Sequence, residues 1–333
     1  MKHVVNSCAV VNGISKILAR RTCRMYRFIS KFELAQLMGD EENCIQLLFD
    51  EGLLNTRMLC SECDVPMQLR PRLGSKYPHF ECAMGHERIR ISCSSGTWFE
   101  NSKVSPVQIL LLMHCFASNN SYKQTVIETS VEDTRLSKVT IDDWFSYCRE
   151  VCTVSMNEKY RKRGKIGGPG HIIEVDECKI SIKKQHPGRM EKRNWILGMI
   201  ARNTGEVRMT VWPVNQRNGR TLYNLISDYV DTRSIIHTDC WGRYRGVMAG
   251  GFQAHLSRNH SQDIFEQVER AHTSQFESHW VSLRRSLLSK IDIPHSEMDI
   301  YICEHLWRKD CESRNADPFQ QLIEDIRKMY PLT

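Results

Sequence analysis

Two sets of residues have types and spacings that carry chemistry. The first is acidic. "EVDE" at 174–177 sits inside a β-rich run, "SIIHTD" closes its apolar run on Asp239, and "SQFESHW" sets Glu277 beside an apolar helical stripe. Carboxylates gathered from separate elements bind divalent cations, and such cations at a phosphate ester activate the attacking oxygen and stabilise the leaving one. Strand alternation puts Glu174 and Asp176 on one face and Glu177 on the other, so only part of the first cluster can meet one metal. Arg284 and Arg285 lie seven and eight positions beyond Glu277. They share its side of the helix, which suits a metal site bordering a phosphate backbone. Each acid alone also has an ordinary reading: a strand-end aspartate starts a loop, and a glutamate opening a helix favours the macrodipole.

The second set is a knuckle. Cys60 and Cys63 are separated by two residues, and Cys82 and His86 by three. A C-x2-C turn presents two thiolates on one side of a tight loop, and a second pair completes the tetrahedron that zinc takes. Four protein ligands leave no open position, so this metal would be structural. Cys93 competes with His86 for the fourth place, because "AMGHERIRISC" offers both. Fourteen cysteines in a long chain without a convincing signal peptide point to thiols and a metal rather than to a disulfide framework.

The elements that must hold these groups are readable as periodicity. "SKFELAQLMGDEENCIQLLFDEGLL" repeats apolar residues at helical spacing and reads as two short helices turning at Gly39 and Asp40. The knuckle follows with short strands, and residues 104–156 are helical. Within that stretch "SYKQTVIETSVEDTRLSKVTIDDWFSYCREVC" divides into a short helix, a turn and a longer helix from about Val139. Val139, Trp144, Tyr147 and Val151 are expected near one face. A helix-turn-helix able to enter a major groove and a plain helical hairpin both satisfy this pattern. "NEKYRKRGKIGGPG" reads as a basic linker ending in a Gly-Pro-Gly breaker.

Beyond Gly170, "HIIEVDECKISI", "NWILGMIAR" and "EVRMTVWPV" are β-rich, "GRTLYNLISDYV" is helical and "SIIHTD" is a strand. "HLSRNH" is a short strand, and "SQFESHWVSLRRSLLSK" is a helix opened by Glu277 with Phe276, Trp280, Leu283 and Leu287 as its stripe. The order β-β-β-α-β-α-β-α predicts a mixed α/β sheet with helices on its faces.

No apolar run is long enough to span a bilayer, which excludes a transmembrane helix. The net charge of +7 has its excess in residues 1–31, where Lys2, Lys16, Arg20, Arg21, Arg24, Arg27 and Lys31 occur without an acid. This arm reads equally as a disordered or targeting tail and as a nucleic-acid contact.

Three acids on such a frame resemble the RNase H-like DDE nucleotidyl-transfer fold. The similarity extends to sequence. "VDECKISIKKQHPGRMEKRNWILGMIARNTG", "VNQRNGRTLYNLISDYV", "IIHTDCWGRY", "RNHSQDIF" and "AHTSQFESHWVSLRRSL" resemble, in order, the blocks of Merlin-superfamily DDE transposases and their bacterial insertion-sequence relatives. The cysteine ribbon, "GTWFENSKVSPVQILLLM" and the helix-turn-helix extend the resemblance over about residues 35–290. It implies an α/β, RNase H-like mixed-sheet catalytic domain at 171–292, preceded by a zinc ribbon at 59–100 and a helix-turn-helix at 104–157. The remaining expected parts are the arm 1–31, a short helical segment 32–58, the basic linker 158–170 and a helical extension 293–333.

Carried over by position, Asp176, Asp239 and Glu277 match the family's three acids. The resemblance implies that they hold two Mg²⁺, cleave transposon ends and join the 3′-OH to target DNA. Trp241 and Tyr244 would anchor the turn beyond Asp239. Glu266 and Glu269 compete with Glu277 for the third place. Cys178 replaces a usual threonine or serine, and Ser274 a common asparagine; neither removes a carboxylate. Candidate phosphate contacts are Lys179, Lys183, Lys184, Arg217, Arg220, Arg284 and Arg285. The implied partners are double-stranded DNA, both terminal inverted repeats and target, and further copies of the chain as a homodimer or larger assembly. The implied place is the nucleus of a eukaryotic host or the cytoplasm of a bacterium. A domesticated, non-catalytic DNA-binding protein is the rival from another class, and a nuclease that does not join strands is the rival within it.

Overall fold

A computed structural model describes residues 30–38, 40–71, 74–86, 89–131, 134–181, 193–213, 218–239, 251–258, 270–288 and 293–332. The chain divides into two compact units, Met1–Val154 with Arg308–Thr333, and Ser155–Trp307.

The first unit opens with α1 (Lys31–Met38) and α2 (Glu41–Asp50). Asp40 caps α2 by accepting from the Asn43 N–H at 2.8 Å, which fixes the turn that the sequence marks. Three short antiparallel strands follow, β1 (Gln68–Arg70), β2 (His79–Glu81) and β3 (Arg90–Ser92), in the order β1-β2-β3. Next come α3 (Pro106–Ala117), α4 (Tyr122–Glu128) and α5 (Lys138–Arg163). The apolar run "PVQILLLMHCFA" is α3, capped by Ser105 and buried along nearly its whole length. It is a core helix, and no helix among the described residues is long and apolar enough to cross a membrane. Ser121 and Gln124 form a reciprocal capping box at the start of α4.

Helix α5 departs from expectation twice. It continues through the basic run to Arg163, so that run closes a helix, where cations offset the exposed carbonyls of the last turn. Its buried stripe is Ile141, Trp144, Cys148, Val151, Cys152 and Met156, whereas Val139 and Tyr147 are exposed. The reason is angular: at 3.6 residues per turn, Val139 lies roughly 140° round the helix from Trp144.

The second unit contains β4 (Ile172–Ser181), β5 (Arg193–Ala201), β6 (Val207–Val211), α6 (Gly219–Tyr229), β7 (Ile235–Asp239), β8 (Ala254–Arg258) and α7 (Arg270–Leu288). Its five strands lie in the order β6-β5-β4-β7-β8. The first three pair antiparallel, and β4–β7 and β7–β8 pair parallel. This is the mixed sheet that the strand pattern predicts. The additional helix expected between β7 and β8 falls in 240–250, outside the described residues.

The two faces of the sheet follow from alternation. Ile173, Val175, Leu197, Met199, Ala201 and Ile236 form one core with Leu222 and Ile226 of α6, closed by Val230, Trp212 and Phe252. Burying each such aliphatic side chain is worth about 1.5–3 kcal/mol. Glu174, Asp176 and Cys178 point to the other face, with Ile200, Gly198 and Ile196 as their register partners on β5. Helix α7 packs on that face. After it come a short 3-10 turn (His295–Glu297), α8 (Met298–Ser313) and α9 (Pro318–Met329). In the first unit, Arg308 caps α3 by donating to the carbonyls of Phe116 and Ala117, and Phe319 of α9 meets His114 edge-on.

Candidate active site

Asp176 sits at the meeting of β4, β5 and α7. Its Oδ1 accepts the Glu177 N–H at 2.8 Å, and its Oδ2 accepts the Trp280 indole N–H at 2.7 Å. The helix reaches the strand this closely because Gly198, the register partner of Asp176, has no side chain. A Cβ there would lie 2.5 Å from Phe276 Cε1 and 2.7 Å from Trp280 Cη2. The Phe276 and Trp280 rings stack with centroids 5.3 Å apart. A glycine inside an apolar strand marks such close approach.

One helical turn further on, Arg284 lies against the Cys178 thiol. Burial pushes that thiol up, and the neighbouring guanidinium pulls the other way. Two strand residues advance about 6.6–6.8 Å and four helical residues about 6 Å, so both contacts belong to one alignment of α7 along β4.

Glu174 shares the face of Asp176 but has a different environment. Arg202 donates to its carboxylate and also lies 3.2 Å from His237 Nδ1. Arg202 therefore offsets Glu174, whereas the Trp280 and Glu177 donors to Asp176 are neutral N–H groups. Glu177 belongs to the opposite face, as alternation requires.

Asp239 is the last residue of β7 and pairs in register with Arg258 of β8. Pairing between β4 and β7 runs from Ile172↔Ile235 to Glu174↔His237. Asp176 and Asp239 each stand two residues beyond that last rung, level with each other on adjacent parallel strands. Asp239 stands at the carboxyl end of β7, the kind of strand end beyond which α/β sheets bind ligands, while Asp176 lies within β4, which stays paired with β5 to Ser181.

Glu277 is exposed on α7, three residues before Trp280. It does not open the helix, which begins at Arg270. The polar "RAHTS" carries no apolar period, so the sequence hides the true start. A macrodipole role for Glu277 loses its basis, since that effect is confined to the first turn. Phe276, Trp280, Leu283 and Leu287 are all buried, as their spacing predicts.

The candidate cations are scattered. Arg284 and Arg285 are exposed on α7. Lys179 is on the face of β4 opposite Asp176, and Arg220 is exposed in the first turn of α6, which covers that opposite face. Lys183, Lys184, Arg217, Trp241, Tyr244, Glu266 and Glu269 lie outside the described residues.

In the first unit, the ligand atoms of Cys60, Cys63, Cys82 and His86 all lie within 4.8 Å of one another. Cys60 Sγ and Cys82 Sγ are 3.6 and 3.4 Å from His86 Nδ1, and Cys63 Sγ is 3.6 Å from Cys82 Sγ. The Glu62 N–H leads the groups that lower the Cys60 thiol to about 6, against burial, with the Cys63 N–H, His86 and Cys82 assisting. The two thiols beside His86 push its pKa up. Cys93 stands apart: burial pushes its thiol up to about 12, and its carbonyl accepts from the Asn55 backbone and side chain. The structure thus gathers the four residues that the paired spacing singles out and leaves Cys93 in the core. The described cysteines are thiols.

Trp280 and Gly198 contact or flank Asp176, and neither stands out in the sequence as part of the site. Trp280 reads as one member of an apolar stripe, and its N–H is invisible to periodicity. Gly198 carried a signal, a lone glycine in "NWILGMIAR".

No curated protein matches the chain. A family model described as the ISXO2-like transposase domain matches residues 154–310, nearly the span of the second unit. This part of the chain, with its mixed five-stranded sheet, is similar to the DDE transposases of insertion-sequence type.

Proposed function

We propose that the chain is a DNA transposase that cleaves transposon ends and joins the freed 3′-OH to target DNA, with Asp176, Asp239 and Glu277 as its catalytic residues. The observation carrying this reading is the helix that bears Glu277 also bracing Asp176, beside the strand that ends in Asp239. The donor set is all carboxylate oxygen, which suits Mg²⁺. Two Mg²⁺ bound there would supply Lewis-acid activation of the attacking oxygen and neutralise charge on the leaving one. The chain's own residues hold the carboxylates in place, through Trp280 and the Glu177 N–H at Asp176. Arg284 and Arg285, exposed on the same helix, supply positive charge for the phosphate backbone.

The Cys3His group suits one structural zinc, since closed four-ligand sets of this kind stabilise small modules. The α4–α5 pair is the candidate helix-turn-helix for terminal inverted repeats. Its exposed face includes Val139, Asp142, Asp143 and Tyr147. Because an element has two ends, a homodimer or larger assembly on DNA is the working form, acting wherever host DNA resides, in a nucleus or in bacterial cytoplasm.

The test is incubation of the protein with Mg²⁺ and the terminal-repeat DNA flanking its own gene, followed by mapping of breaks and joints. Nicks at the element ends, with 3′-OH groups transferred to target, are expected. Binding without any break would identify a domesticated DNA-binding protein, and breaks without joints a nuclease.

A further inference from the structure

We propose that Trp280 is a positioning residue of the catalytic centre, setting the rotation of the Asp176 carboxylate and the level of the helix that carries Glu277. This rests on the reading of both acids as metal ligands. The Trp280 N–H meets Oδ2 at 2.7 Å and the Glu177 N–H meets Oδ1 at 2.8 Å, so both oxygens of Asp176 are held by donors. A carboxylate oxygen offers about two lone pairs. With a donor on each oxygen, the carboxylate is held against rotation, and its oxygens keep a fixed orientation toward a cation. Residues that orient metal ligands in this way typically contribute roughly 10- to 100-fold to metal affinity or activity.

The same ring sets the helix. Trp280 is buried, and with Phe276 it occupies the space over Gly198 that a side chain would fill. An indole N–H turned into that contact without an acceptor would be costly, so the helix is held where Asp176 can receive it. Glu277, three residues earlier on α7, is therefore placed by the bond that orients the first aspartate.

A purely packing role for Trp280 predicts something different. Trp280→Phe keeps an aromatic side chain in the contact and removes the donor together with the outer indole ring that lies over Gly198. Phe276→Leu perturbs the same contact and leaves the donor. The measurement is Mn²⁺ binding to the full chain, followed by the electron paramagnetic resonance of unbound Mn²⁺, alongside DNA affinity. Trp280→Phe should bind Mn²⁺ roughly 10- to 100-fold more weakly with DNA affinity retained, and Phe276→Leu should keep native Mn²⁺ affinity. Native Mn²⁺ affinity in Trp280→Phe, or equal losses in both variants, overturns the proposal. Asp176→Asn separates the two levels: if it too binds Mn²⁺ normally, the assignment of Asp176 as a ligand has failed, not merely the role of Trp280. A measurement on the native protein covers a variant that does not fold. With ¹⁵N-tryptophan, the Trp280 indole resonance should move during Mg²⁺ titration with the midpoint of metal binding; a resonance that stays fixed overturns the proposal.

Discussion

Asp176 and Trp280 are 104 positions apart in the chain and meet through one hydrogen bond of 2.7 Å. The contact joins the first strand of the sheet to the helix that packs on it. Because Gly198 stands beside Asp176 in register, the helix approaches without obstruction and an indole reaches a carboxylate at a strand's surface. An acid, a glycine and an aromatic from three elements thus form one contact.

Gly198→Ala tests that approach. The new methyl carbon would meet both rings well inside van der Waals distance, and overpacking of this kind costs about 1–3 kcal/mol. Urea denaturation should show this loss, and Phe276→Leu in the same chain should relieve part of it. An unchanged midpoint for Gly198→Ala would mean that the helix does not pack this closely.

The knuckle is tested by metal content. Purified protein should contain about one zinc per chain, lost in Cys60→Ser/Cys63→Ser and retained in Cys93→Ser. Loss of zinc in Cys93→Ser would return Cys93 to the ligand set in place of His86.

The edge of the sheet has its own pH dependence. Glu206 lies 2.8 Å from Arg208 and 3.3 Å from Arg163. Burial pushes its carboxyl up, but the Arg208 hydrogen bond and charge, with Arg163, outweigh this and hold it below the ordinary 4.5. A depressed folded value contributes stability above the unfolded pKa, and this is lost as pH falls through the folded one. The stability difference between the native chain and Glu206→Gln should therefore be present at pH 7 and shrink as pH drops below 4.5. A difference that is constant down to pH 3 contradicts this.

DNA affinity should depend on salt through the end of α5 and the residues just beyond it, where Arg161 and Lys165 are exposed. Each lost phosphate contact lowers the slope of log affinity against log salt by about 0.9. Arg161→Ala/Lys165→Ala is expected to lower it by up to about 1.8, and an unchanged slope would remove this helix end from the interface.

Much of the mixed α/β fold was legible because its signals are local. Alternation separated Asp176 from Glu177 and gave the strand runs, while the stripe from Phe276 to Leu287 gave the helix over them. The Cys60–Cys63 and Cys82–His86 spacings identified the knuckle. What stayed hidden is non-local or non-periodic. Whether His86 or Cys93 completes the knuckle depends on β3 turning Cys93 inward. Arg270–Ser274 lack any apolar repeat, so the helix seemed to start at Glu277. In α5, "KYRKR" has the composition of a linker, and its contacts with Arg208 at Tyr160 and Glu206 at Arg163 come from a distant strand edge. The hydrogen bond from Trp280 to Asp176 requires the packing of the sheet to be known.

A matched series of variants in a Mg²⁺-dependent nicking and strand-transfer assay asks whether Asp176, Asp239 and Glu277 act as one metal-binding set. Asp176→Asn, Asp239→Asn and Glu277→Gln keep shape but remove the charge that holds the cation. Each should lose at least about a hundredfold in both nicking and joining, with DNA binding retained. Glu174→Gln and Glu177→Gln, the acids offset by Arg202 or turned to the other face, should lose far less. Near-native activity in Glu277→Gln, with loss in Glu266→Gln or Glu269→Gln, would contradict the third assignment. Near-native activity in Asp176→Asn would mean that these acids do not form the catalytic metal site.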